Sequence, residues 1–247
     1  MTIETEDDVV ALKRIGHIVS SVLHEMMDAT KPGTTTGALD ALGAALLARH
    51  GARSAPKITY DFPGATCISV NEEAAHGIPG DRVIAAGDVV NIDVSAELDG
   101  YFADTGGTLI VPPSTTTKTR LLAATREALE EAMKSARAGQ LLNGIGAAIQ
   151  RTARKHGFKV IENLGSHGVG RALHEAPEHI PGTFDARDRR VLRKGMVITI
   201  EPFLSTMSRV VTEAGDGWTL VGARGNLSAQ FEHTMIITDG MPLVVTR

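Results

Sequence analysis

Four carboxylates in this sequence, Asp93, Asp104, Glu201 and Glu232, together with one or more histidines, form an oxygen-rich set. Such a set suits a pair of hard or borderline divalent ions. Asp93 closes the run Val89-Val90-Asn91-Ile92-Asp93, which is apolar enough on both sides of the acid to be buried. A buried, unpaired carboxylate is costly, so it must be protonated, ion-paired or bound to metal. Asp99-Gly100 then carries a strong signal for a two-residue type I′ turn. A hairpin folded there pairs Leu98 with Tyr101 and Ser95 with Asp104. Asp93 and Asp104 become diagonal neighbours on one face, roughly 7–8 Å apart at the backbone. Two acids aimed at one point repel unless a cation lies between them; the plain alternative is that Asp104 is a solvated loop acid.

The C-terminal part adds candidates. His167 stands in Gly165-Ser166-His167-Gly168-Val169-Gly170, where glycines permit close approach of backbone to a ligand. Neither phosphate-cradling pattern fits this loop, since no Gly-Lys-Ser/Thr follows and Leu173 occupies the third glycine position of the dinucleotide motif. His174 follows in Leu173-His174-Glu175-Ala176-Pro177. Glu232 leads into the strand-like Met235–Thr238, and on a strand it faces away from His233. Two metals ~3.5–4 Å apart could share such carboxylates and a water or hydroxide. Near-neutrality of that assembly makes its burial tolerable. His76, in the turn-rich stretch Asn71–Gly80, reads equally as a loop histidine or a site residue. His17, His24, His50, His156, His179 and His233 have ordinary surface, packing or helix-end readings.

The elements that must position these residues follow from periodicity. Helices are expected from Thr5 to Met27, capped by Thr5 and Asp8, and from Thr36 to Arg49; β-type runs fill Lys57–Val111. Helices return at Thr117–Arg137 and Leu142–His156, and β-type runs follow from Lys159. Residues 82–93 align without gaps on 190–201, five of twelve identical and three conservative, at an offset of 108. Gly33 and His50-Gly51 match Gly139 and His156-Gly157 at an offset of 106. The chain is read as a duplicated helix-pair-plus-sheet unit. A pseudo-twofold packing of the halves would bring Asp93 and Glu201 together.

Composition narrows the class. The chain has 247 residues, 43% hydrophobic and 22% charged, with a net charge of −4. It is a globular protein, not a disordered one, and nucleic acid is excluded as its main partner. One cysteine, Cys67, permits no internal disulfide and fits a reducing cytoplasm. The acidic Met1–Asp8 gives no secretion signal, and no membrane span is expected. With aromatics at 4%, the core must be aliphatic.

Together, Asn71-Glu72 through His76-Gly77-Ile78-Pro79, Asn91-Ile92-Asp93, Asp99-Gly100, Asp104-Thr105, His167-Gly168-Val169-Gly170-Arg171, His174-Glu175, Thr199-Ile200-Glu201-Pro202 and Ser228–Thr234 resemble the type I methionine aminopeptidases almost end to end. The resemblance implies an α+β pita-bread fold, with residues 1–247 as one catalytic domain and halves at about 5–113 and 114–247. It also implies two divalent ions (Co, Mn, Fe or Zn). Asp93 would chelate one, Asp104 and Glu232 would bridge both, and His167 and Glu201 would complete the other shell. His76 and His174 would contact the substrate, His174 at the oxyanion and His76 at the scissile amide, while Glu201 moves the proton from water to the leaving amine. Phe62, Cys67 and Trp218 match the methionine pocket. Ser166 falls where glycine is usual; Thr59 falls where a pocket tyrosine often sits and Leu173 where an aromatic is usual, and these two smaller side chains point to a looser pocket. The expected activity removes the N-terminal methionine from nascent chains with a small second residue. The setting would be cytoplasmic, at the ribosome or free of it, with the enzyme a monomer. Rival readings are a proline-specific or broader aminopeptidase on this fold, and a metal-free ribosome-associated binding module.

Overall fold

The first helix begins where side chains satisfy its free N–H groups. Thr5 Oγ1 accepts from the Asp8 N–H, and the Asp8 carboxylate accepts from the Thr5 N–H in return, as the sequence suggests. The computed structural model describes residues 1–247. Its first half runs α1 (Glu6–Ala29), α2 (Thr36–Arg49), β1 (Arg53–Ser54), α3 (Ala55–Tyr60), β2 (Cys67–Val70), β3 (Glu73–Ala75), β4 (Val89–Leu98) and β5 (Tyr101–Ile110). The second opens with α4 (Thr116–Ser135), α5 (Asn143–His156), β6 (Lys159–Val160), β7 (Gly165–Gly168), β8 (Glu175–Pro181) and β9 (Val197–Ile200). It ends with β10 (Phe203–Ser205), β11 (Thr212–Glu213), β12 (Leu220–Val221), β13 (Ser228–Gln230), β14 (His233–Ile236) and β15 (Leu243–Val244).

The sequence repeat is also a repeat of hydrogen bonds. Gly33 N–H donates to the Ile84 carbonyl and Gly139 N–H to that of Leu192, both at 2.8 Å. In return, Ile84 N–H reaches the Thr34 carbonyl and Leu192 N–H that of Gln140, both at 2.9 Å. Gly87 and Gly195 donate to Val111 and Ile237, again both at 2.8 Å. The β4–β5 hairpin turns at Asp99 (φ 53°) and Gly100 (φ 81°), the two positive φ values that a type I′ turn requires. Its register pairs Leu98 with Tyr101 and Ser95 with Asp104, as expected.

Each half buries its helix pair on its own sheet. Ile15, Val19, Val22 and Met26 of α1 pack with Leu39 and Leu47 of α2 against Ile92 and Val94 of β4. Leu121 and Ala128 of α4 and Ile145 and Ile149 of α5 pack against Ile198 and Ile200 of β9. The first core has no buried aromatic and the second only Phe158 and Phe231, so the interior is aliphatic. Burying each such chain contributes roughly 1.5–3 kcal/mol. The larger sheet is antiparallel in the order β15-β14-β9-β7-β8; the other large sheet runs β1-β4-β2, with β5 on β4. The halves join where β5 meets β14. Asp104 N–H donates to Thr234 Oγ1 (2.9 Å), Thr234 Oγ1 to the Asp104 carbonyl (2.8 Å), and Thr105 Oγ1 to the Glu232 carbonyl (2.8 Å). No helix is long and apolar enough to cross a membrane.

One element departs from the sequence reading. Residues 57–60, read from the sequence as the start of a β-type stretch, instead belong to the helix α3, with Ser54 Oγ accepting from the Lys57 N–H and Pro56 in the first turn.

Candidate metal site

The β4–β5 hairpin, β7 and the residue after β9 bring Asp93, Asp104, His167 and Glu201 to a cavity of about 420 Å³ between the halves, and Glu232 approaches Asp104 and His167 from beside it. Asp93 and Asp104 reach it from the two strands of the hairpin, as diagonal neighbours, since Asp93 pairs with Gly106 and Ser95 with Asp104. Gly106 leaves room there for the Gln230 amide; a Cβ at Gly106 would lie 2.3 Å from Gln230 Oε1. That amide donates to Glu232 Oε2 at 2.8 Å and accepts from Asn91 Nδ2 at 2.9 Å, so both halves aim Glu232. Glu201 follows β9. Its N–H donates to Ser166 Oγ (2.9 Å) and its Oε1 accepts from Thr199 Oγ1 (2.9 Å). Ser166, a departure from the family pattern, thus holds the Glu201 backbone in place.

His167 sits on β7 with Nε2 3.5 Å from Glu201 Oε1 and 3.9 Å from Asp104 Oδ2. Its Nδ1 lies 2.9 Å from the Gly168 carbonyl, which can only accept, so Nδ1 carries the proton and Nε2 presents a lone pair to the acids. Burial, then the neighbouring His174, lowers the His167 pKa to about 3, so the imidazole supplies no positive charge at neutral pH. No lysine or arginine lines the cavity. Burial and mutual repulsion therefore push the carboxyls of Asp93, Glu201 and Glu232 well above the ordinary range, and burial raises Asp104 to about 6.

Two buried oxygens, Asp104 Oδ1 and Glu232 Oε1, have no hydrogen-bond partner. Asp104, His167 and Glu232 offer ligand atoms within 4.8 Å of one another. Orphaned acceptors in a crowd of uncompensated carboxylates beside an imidazole lone pair fit a divalent cation. The residues present suit the group the sequence called for.

The cavity wall places the remaining sequence candidates. His76, Phe62, Cys67, Leu173, His174 and Trp218 all line it. Phe62 meets Trp218 edge-to-face at 5.2 Å. His76 adopts a left-handed backbone, φ 55°, immediately after β3. Thr59 requires correction: it is exposed and does not line the cavity. On α3, Pro56 and Tyr60 are four residues apart and share the inner face, whereas Thr59 is rotated away from it. The wall tyrosine is Tyr60, whose hydroxyl lies 2.8 Å from His174 Nδ1. The helix signals, Ser54 at the cap and Pro56 in the first turn, could have found it. Sequence reasoning also passed over Glu178 and His179 of β8, which line the mouth; no spacing pattern marks either. His233 points away from the centre, as expected, with Nδ1 2.9 Å from Thr246 Oγ1.

The chain as a whole is similar to known proteins. The model of metallopeptidase family M24 matches residues 10–239. The chain is similar to a methionine aminopeptidase of Staphylococcus epidermidis, 47% identical over 248 residues, covering 100% of this chain and 99% of that one. Methionine aminopeptidase 2 of Bacillus subtilis is 43% identical, with full coverage of both. Among solved structures, methionine aminopeptidase from Thermotoga maritima superposes with a TM-score of 0.95 at 36% identity, covering 100% of both chains.

Proposed function

The chain belongs to metallopeptidase family M24, and on that premise we propose that it removes the N-terminal methionine from polypeptides whose second residue is small. Its fold is the α+β pita-bread fold of two similar halves. We read residues 1–247 as one catalytic domain and the acid cluster as a site for two divalent ions, with Mn, Fe, Co and Zn all compatible with these ligands. Asp93, Asp104, His167, Glu201 and Glu232 would hold them. Bound there, such ions activate water and polarise the scissile carbonyl.

The protein's own side chains supply the rest. The apolar wall of Phe62, Cys67, Leu173 and Trp218 receives the methionine chain, whose thioether gains ~0.3–1.5 kcal/mol from aromatic contact. His76 holds the scissile amide, and His174 donates to the oxygen that becomes negative. Glu201, fixed by Ser166 and Thr199, passes a proton from the attacking water to the leaving amine. The substrates on this reading are the N-termini of nascent chains in the cytoplasm.

The observation that carries this proposal is the pair of orphaned carboxylate oxygens in a buried acid cluster facing an apolar wall. Hydrolysis of Met-Ala-Ser tests it. Activity should vanish with chelator and return with added divalent metal, and x-Pro dipeptides should be poor substrates. Preference for x-Pro peptides, or Met-Ala-Ser cleavage indifferent to chelator, would overturn it.

A further inference from the structure

Tyr60 and His174 come from opposite halves, 114 residues apart, and meet across the cavity mouth with Tyr60 Oη 2.8 Å from His174 Nδ1 and ring centroids 5.6 Å apart. We propose that Tyr60 is a positioning residue for catalysis: its hydroxyl donates to His174 Nδ1, holding the neutral imidazole in the tautomer that carries its proton on Nε2. The inference rests on His174 acting as a hydrogen-bond donor to the reacting carbonyl.

A contact of this length admits two arrangements, phenol to imidazole or imidazole to phenol. The imidazole lone pair is the better acceptor and the phenol O–H the better donor, so the proton stays on oxygen and points at Nδ1. Burial raises the Tyr60 pKa, so at neutral pH the phenol keeps its proton. For a neutral imidazole the tautomer decides whether Nε2 is a donor or an acceptor. An acceptor there would repel a developing oxyanion; a donor stabilises it. His174 Nδ1 has no other partner, and the ring rests on His167 at 4.0 Å between centroids. Tyr60 therefore fixes both the tautomer and the swing of the ring. Its own position is set by α3 and by Asp61, which ends that helix in the left-handed conformation at φ 55°.

Tyr60→Phe tests this, since it keeps the ring and removes only the hydroxyl. The zinc-loaded protein is compared by kinetics on Met-Ala-Ser and by ¹⁵N NMR of the His174 ring. The expected result is kcat about 10-fold lower with KM within about twofold, short of the ~10²–10³ loss for deleting an oxyanion donor outright. The Nδ1 resonance should report an unprotonated, hydrogen-bonded nitrogen in the parent and should move in Tyr60→Phe. A kcat within twofold of the parent, or a protonated Nδ1 in the parent, would overturn the inference. Failure of the parent to cleave Met-Ala-Ser would instead overturn the functional reading, while the NMR arm would still decide the hydrogen bond.

Discussion

His167 and His174 touch ring to ring, yet their surroundings give them different work. His167 has its Nδ1 proton committed to the Gly168 carbonyl and its lone pair turned to Asp104 and Glu201. His174 has Nδ1 against a phenol and faces the cavity mouth. His167→Ala should therefore lose metal, measured by elemental analysis of the purified protein. His174→Ala should keep metal and lose turnover by ~10²–10³. Metal loss in His174→Ala with retention in His167→Ala would mean the two roles are exchanged. The acids at this centre show why the pattern of carboxylates spoke so clearly: Asp104, Glu201 and Glu232 are buried and Asp93 half-buried, and no lysine or arginine lines the cavity beside them.

At the level of elements, α1 anchors the loop that follows β7. Asp8 ends its capping role by also accepting from the Tyr101 hydroxyl and from Arg171, both at 2.8 Å. The Glu4 backbone N–H, then the Tyr101 hydroxyl and the Thr5 N–H, hold the Asp8 carboxyl at about 2, below its ordinary 3.8. A depressed pKa of this kind stabilises the fold fully above about pH 4, and the contribution disappears as pH falls from 3.8 towards 2. Asp8→Asn should thus lower Tm by about 2–4 °C at neutral pH, the shift expected of ~1 kcal/mol in a chain this long. The gap to the parent should close on acidification through that window; curves that stay parallel from pH 6 to pH 2 would refute the linkage. The hairpin, its turn and its register were legible because Asp99-Gly100 and the apolar alternation act locally. The reach of Ser166 to Glu201 and of Gln230 to Glu232 was not, since both depend on how distant strands dock. Thr59 was named by resemblance alone, as the place where a pocket tyrosine often sits. The helical turn of α3 brings Tyr60, not Thr59, to the cavity.

For the molecule as a whole, the cavity wall proposed to receive the first residue draws on both halves: Phe62 and Cys67 from one, Leu173 and Trp218 from the other. Because Thr59 stands outside the cavity, only Leu173 remains as a cause of looseness. Met-Ala-x should exceed Leu-Ala-x and Phe-Ala-x in kcat/KM by at least about 10-fold, the lower end of what one pocket methylene discriminates. Norleucine should be the best substitute. Equal values for all three would make this a general aminopeptidase.

The acids themselves are shared out in the same way. Asp93 and Asp104 are made early in synthesis, whereas His167, Glu201 and Glu232 come later, so the cluster closes only when β14 reaches β5. A chain interrupted before residue 232 lacks both Glu232 and the strand that docks on β5, so on the proposed reading its cation cage is never completed. On that reading a truncated product should show no hydrolysis of Met-Ala-Ser, because its ligand set is incomplete.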